Sequence, residues 1–203
     1  MFIKKNYFFC FVLFSSWIFK SCKNNIPHQT KSPVVIVLPY TDIDTSIVNQ
    51  TIASLKKVLP NTILLKSIEL PSNTYYQPRN RYRADSLLNF ESRLVGADTV
   101  VIGMTSKDIS TTKNEVDDWG VMGLGYSPGN ACVISSFRLT PKNKVAQFYK
   151  VAIHELGHTQ GLPHCPQKYC FMRDANGGNP LDEETRFCES CQAFLIKKGW
   201  LLD

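Results

Sequence analysis

Residues 34–38 form a continuous apolar run, rich in β-branched side chains and closed by Pro39, the pattern of a strand buried on both faces. Residues 44–59 place apolar side chains at 47, 48, 52, 55, 58 and 59, a helical spacing that Pro60 ends. Residues 62–70 predict a second strand closed by Pro71. Residues 81–95, with Tyr82, Leu87, Leu88, Phe90 and Leu94, predict a second helix with Gly96 at its C-terminal end, and residues 99–104 a third strand. The order βαβαβ predicts an α/β fold, a mixed and mostly parallel sheet flanked by helices. Two further strands, 119–126 and 131–139, surround the turn Ser127-Pro128-Gly129-Asn130. A helix over 143–159 carries Val145, Phe148, Ala152 and Leu156 on one stripe, and a last helix runs over about 184–198.

The N-terminal pattern is of another kind. Lys4 and Lys5 form a basic start, and residues 8–19 are apolar except for Ser15 and Ser16, too short a run to span a bilayer. The run ends in Phe19-Lys20-Ser21-Cys22, a small residue before a cysteine, which resembles a bacterial lipoprotein cleavage site. That resemblance implies a signal peptide over 1–22, lipidation of Cys22, and an exported protein anchored by its N-terminus in a membrane of the bacterial cell envelope, periplasmic or at the surface. Ordinary signal cleavage, or an uncleaved short anchor, are the alternatives. Residues 23–32 are polar and read as a tether, leaving 33–203 as the folded domain.

At 203 residues, 43% hydrophobic and 20% charged, the chain suits one globular domain and excludes wholesale disorder. The formal charge is +6, but removing Lys4, Lys5 and Lys20 with the signal leaves 20 basic against 17 acidic residues. That balance argues against a nucleic-acid partner, and a monomer is expected. Arg79, Arg81 and Arg83 are expected at the solvated start of a helix rather than in an acidic-ligand site. Glu115, Asp117 and Asp118 are expected in a solvated loop rather than around a cation.

Cysteine and histidine are concentrated. Cys10 and Cys22 belong to the N-terminal segment, Cys132 to an apolar run that buries it, and His28 to the tether; every other cysteine and histidine falls between 154 and 191. That placement points to metal chemistry. His154 and His158 are four apart and share one helix face, a spacing at which two imidazoles can hold one Zn²⁺. Glu155 is rotated by about 100° from His154, beside such a metal, where a base for a metal-bound water is needed. Gly161 allows the chain to leave the helix at positive φ and bring His164 back as a third ligand, with a fourth position left open.

His-Glu-x-x-His-x-x-Gly-x-x-His is the metzincin metalloprotease signature. Here it continues into Cys165-x4-Cys170-x-Met172 and Cys188-x-x-Cys191, a combination that resembles the archaemetzincins. The likeness extends upstream through Ile102-Gly103-Met104-Thr105 leading to Asp108, and through Val133-Ile134-Ser135 followed by Arg138-Leu139. The resemblance implies a compact metzincin-like zinc peptidase with an active-site helix and a small Cys-rich C-terminal subdomain. It implies two zinc ions per chain: a catalytic one on His154, His158 and His164 with Glu155 as general base, and a structural one on Cys165, Cys170, Cys188 and Cys191. Met172 would pack beneath the catalytic site. On their own terms the four cysteines suit a closed zinc site or, in an oxidising compartment, two disulfides. A peptide or protein substrate would lie extended along an exposed strand edge, for which residues 131–136 are the candidate. The competing class of function is a non-catalytic, zinc-bearing, peptide-binding lipoprotein.

Overall fold

The computed structural model describes residues 31–96 and 98–202; the signal segment, Cys22 and nearly all of the tether lie outside the described residues. In chain order the strands and helices are β1 (Val34–Pro39), α1 (Thr45–Val58), β2 (Thr62–Leu64), β3 (Tyr75–Tyr76), β4 (Arg81–Arg83), α2 (Ala84–Glu91), β5 (Thr99–Thr105), β6 (Ile109–Lys113), β7 (Val116–Val121), β8 (Gly123–Gly125), β9 (Ala131–Ser135), α3 (Lys144–Thr159) and α4 (Glu189–Lys197). The fold is mixed α/β, with the main sheet ordered β2-β1-β5-β9-β8. The first four strands of that order pair in parallel, and β8 runs antiparallel to β9. Among the described residues no helix is long and apolar enough to cross a membrane.

The apolar β-branched runs form the centre of this sheet because both of its faces are covered. Val35, Val37, Ile102, Met104, Cys132 and Ile134 face a core shared with the buried stripes of α1 and α3, among them Ile47, Leu55, Phe148 and Leu156. Leu38, Val101, Ala131 and Val133 face the opposite core, closed by Leu87 and Leu88 of α2. Asp44 caps α1 by accepting the Ser46 N–H at 2.8 Å, and Lys56 and Lys57 lie at its negative C-terminal end.

Several expectations are corrected. The predicted 62–70 strand pairs only over Thr62–Leu64, with one isolated bridge from Ile68 to Tyr40. The predicted 81–95 helix begins as strand β4, which joins β3, β6 and β7 in a second sheet ordered β3-β4-β6-β7. The arginines and acids read as two solvated stretches pair with each other. Arg81 lies 3.0 Å from Asp108 and 3.2 Å from Asp118, Arg79 is 3.8 Å from Asp118, and Arg83 donates to the Asp117 carbonyl. The predicted 119–126 strand breaks at Met122, β7 ending in the second sheet and β8 entering the main one. The 131–139 strand ends at Ser135, and the last helix starts at Glu189.

One buried acid belongs to α2 rather than to the histidine helix. Glu91 is fully buried, accepts the Tyr40 hydroxyl at 2.7 Å, and packs so tightly on β5 that a Cβ on Gly103 would sit 1.9 Å from its Oε1. Burial pushes its pKa well above the ordinary carboxylate range, against the pull of the Tyr40 hydrogen bond. The folded chain therefore keeps a proton that the unfolded chain releases above about pH 4.5, and the Glu91 contribution to stability falls as pH rises from there toward the folded pKa. Thermal melts from about pH 5 to pH 8 should show wild type losing more stability than Glu91→Gln; a difference in Tm that does not change with pH would contradict this account.

Candidate active site

Helix α3 buries Phe148, Val151, Ala152 and Leu156 against the sheet, which leaves His154 and His158 on its cleft side. The helix ends in a Schellman turn: Gly161 has φ +96°, its N–H donates to the His158 carbonyl at 2.8 Å, and the Leu162 N–H donates to Gly157 at 3.1 Å. A Cβ on Gly161 would make only ordinary contacts, at 3.8 Å from Pro128 and 4.0 Å from Phe194, so it is the positive φ that calls for glycine. Leu162 is buried at the end of this turn, and its carbonyl meets His158 Nδ1 at 2.7 Å. The Phe171 carbonyl meets His154 Nδ1 at 2.6 Å. Each carbonyl accepts only if Nδ1 carries the proton, so in the neutral ring Nε2 carries the lone pair. The two Nε2 atoms face each other at 3.1 Å. Two nitrogens bound about 2.0–2.1 Å from one tetrahedral ion lie roughly 3.3 Å apart.

Burial, with His158 and His164 as like-charge neighbours, brings the His154 pKa down to about 3, and burial also lowers that of His158. Both imidazoles are therefore neutral, the ligating form. After the turn, His164 returns to the same place, and the ligand atoms of His154, His158 and His164 lie within 4.8 Å of one another. His164 Nδ1 is 3.6 Å from Asp174 Oδ2. The backbone N–H of Asn176 holds the Asp174 carboxyl below the usual range, with His164 and Lys113 adding to that.

Glu155 lines the same cleft as the three histidines. Its side chain lies under β8: a Cβ on Gly123 would come 2.6 Å from its Oε1, and one on Gly125 would come 3.4 Å from its Oε2. Burial raises its pKa to about 8. Periodicity does not reveal these two glycines, although paired glycines within a strand signal a close approach. Strand β8, not residues 131–136, is the exposed edge. β9 lies between β5 and β8 and is buried at every position, as its apolar run requires.

The second cluster begins one residue after His164. Cys165, Cys170, Cys188 and Cys191 bring their sulfurs within 4.8 Å of one another, and Cys165 and Cys188 are 3.6 Å apart. Four sulfurs about 2.3 Å from one tetrahedral ion lie roughly 3.8 Å apart. All four are free thiols. Cys170 Sγ accepts the N–H groups of Met172 and Cys188. Although burial opposes it, the Ser190 hydroxyl and the Cys191 backbone bring Cys188 down to about 6. Cys165 N–H donates to the Met172 carbonyl at 2.7 Å, so this cluster clamps the turn that supplies Phe171. Met172 is fully buried under α3, where a Cβ on Gly157 would meet its sulfur at 2.7 Å.

A cleft of about 870 Å³ runs past these groups, lined by the three histidines, Glu155 and all of β8. Its far walls are the β6–β7 hairpin, with Trp119, and residues 173–181.

The family model described as Peptidase family M54 matches residues 36–198. The chain is 28% identical over 172 residues to the archaemetzincin of Halobacterium salinarum, covering 78% of this chain and 96% of the relative. It is 32% identical over 141 residues to that of Methanopyrus kandleri, covering 66% and 78%. Its fold is similar to the crystal structure of archaemetzincin from Archaeoglobus fulgidus complexed with malonate, with TM-score 0.68, 27% identity, and coverage of 79% of this chain and 98% of that one. The M. kandleri archaemetzincin structure gives TM-score 0.69, 26% identity, and coverage of 86% and 98%.

The glycine contacts give a direct test. Gly123→Ala should lower stability by about 1–3 kcal/mol through overpacking against Glu155. Glu155→Ala in the same chain should restore most of that loss, as read from a double-mutant denaturation cycle. Additive losses would mean that Glu155 does not lie under β8.

Proposed function

The chain belongs to peptidase family M54, and from that premise we propose that this zinc metallopeptidase holds a catalytic zinc on His154, His158 and His164, with Glu155 as the general base. The carrying observation is the pair of neutral Nε2 lone pairs facing each other at 3.1 Å, each fixed by an Nδ1–H bonded to a backbone carbonyl. Without a cation between them these lone pairs repel, so the donor set fits the metal. Bound there, zinc polarises the scissile carbonyl and lowers the pKa of water toward ~7.

The chain's own groups do the rest. The free edge of β8 holds an extended peptide by backbone hydrogen bonds, because its other edge is occupied by β9. Glu155, beneath β8 and next in sequence to His154, takes a proton from the attacking water as the C–O bond forms. It then delivers that proton to the amine as the C–N bond breaks. Burial alone favours the protonated form of its carboxyl, and a zinc held on the three histidines would favour the ionised form that a base requires.

We assign the four cysteines to a second, structural zinc. Four mutually close free thiols support a single tetrahedral ion better than two separate disulfide pairs. The N-terminal segment supports export with lipidation at Cys22, and the tether then holds the peptidase domain at a membrane surface.

Glu155→Gln should leave two zinc ions per chain by elemental analysis and lower peptide hydrolysis by about 10²–10⁴-fold, the usual contribution of a general base. His158→Ala should retain one zinc. Hydrolysis at the wild-type rate in zinc-loaded Glu155→Gln would remove Glu155 from the role. Separately, Cys22→Ala should shift the protein out of the membrane fraction or block its processing, and an unchanged membrane-bound protein would exclude lipidation there.

A further inference from the structure

One carboxyl in the cleft wall has no assigned task. Glu184 is 1% exposed, lines the cleft, and its Oε2 is buried with no hydrogen-bond partner among the described residues. The nearby cations are engaged elsewhere. Lys150 Nζ donates to the backbone carbonyls of Leu181 and Glu184 at 2.6 and 2.7 Å, and Arg173 pairs with Glu183 at 2.7 Å. Burial pushes the Glu184 carboxyl up to about 7, while Lys150 and Arg173 pull it down. A buried carboxyl in the lining of the cleft, with one oxygen unpartnered among the described residues, lacks one cationic or hydrogen-bonding partner.

Its position is fixed relative to the histidines. The two Lys150 bonds staple residues 181–184 to α3 one turn before His154. Val151 lines the cleft at that level, about 4.5 Å along the helix axis from His154. Val151 and Leu181, exposed by only 3% and 4%, supply apolar walls there. Apolar walls leading to a carboxyl match a side chain with a methylene stem and a cationic head.

We propose that Glu184 is a specificity-determining residue: together with Val151 and Leu181 it forms a subsite beside the histidine centre that accepts a lysine or arginine side chain of the peptide substrate. This rests on the metallopeptidase reading above. A carboxyl that serves only the packing of the cleft wall would show no dependence on substrate charge.

The test uses the zinc-loaded protein and a peptide series in which each position in turn is lysine, arginine or norleucine, the last matching the lysine stem without its charge. At one position wild type should cleave the basic peptides with kcat/KM at least about tenfold above norleucine. Glu184→Gln should remove that preference while still cleaving the norleucine peptide, with zinc content and circular dichroism unchanged. Glu184→Met serves as a second variant if the amide is not tolerated. Equal cleavage of basic and norleucine peptides by wild type, or a basic preference that survives both variants, overturns the proposal. If wild type cleaves no peptide at all, the catalytic reading fails, and calorimetric binding to zinc-loaded Glu155→Gln decides the subsite. Tighter binding of the lysine peptide that Glu184→Gln removes supports it, and equal binding of lysine and norleucine peptides overturns it.

Discussion

Two backbone carbonyls, of Leu162 and Phe171, set the terms for the rest of the molecule. By accepting the Nδ1 protons of His158 and His154 they leave two lone pairs opposed at 3.1 Å, an arrangement that is unfavourable until a cation separates them. Neither carbonyl is in place by default. Leu162 is positioned by the Schellman turn at Gly161, and its side chain is anchored in the core. Phe171 is positioned by a turn held from one side by the Cys165–Met172 hydrogen bond and from the other by the packing of Met172 on Gly157. The cysteine cluster thereby acts on His154 from a distance, by fixing the acceptor that orients it, as well as on His164 through the adjoining Cys165.

Helix α3 serves three surroundings at once. One stripe is core, one presents the histidines to the cleft, and the third buries Glu155 against a strand from which side chains have been removed at two positions. Gly123 and Gly125 weaken β8 as a strand, yet they let its backbone approach the helix closely while its free edge stays open to the cleft. A third glycine, Gly157, makes room for Met172 on the helix itself. The close approaches around the site are made by absent β-carbons.

The histidine arrangement is legible in the sequence because it is local: a four-residue helical spacing, a positive-φ glycine and a ligand three residues later need no long-range information. The parallel core is legible because strands buried on both faces leave continuous apolar runs such as Val34–Pro39. The small second sheet is not. Ile109–Lys113 reads Ile-Ser-Thr-Thr-Lys, and Arg81–Arg83 alternates charge with one tyrosine. Ion pairs from Arg81 to Asp108 and Asp118 tie these segments together across 27 and 37 positions of chain, and no periodicity records such pairs. Residues 119–126 read as one strand because apolar side chains recur throughout, yet the alternation slips from Trp119 and Val121 to Met122, Leu124 and Tyr126, and that slip marks where the chain changes sheets. The edge role passed from residues 131–136 to β8 because neighbour relations in a sheet are set by pairing, whereas an apolar run reports only burial.

The segment from Arg173 to Phe187 hangs between two posts. At one end Met172 is locked under α3; at the other Cys188 is drawn into the sulfur cluster, whose members also grip the first end. Chain strung between fixed posts can change in length and composition without moving either. The carbonyls that orient His154 and His158 both lie outside this segment, which meets the histidine centre itself through Asp174 and α3 through Lys150. A wall rebuilt between those ends would change what the cleft presents while the Leu162 and Phe171 carbonyls kept the two imidazoles turned as they are.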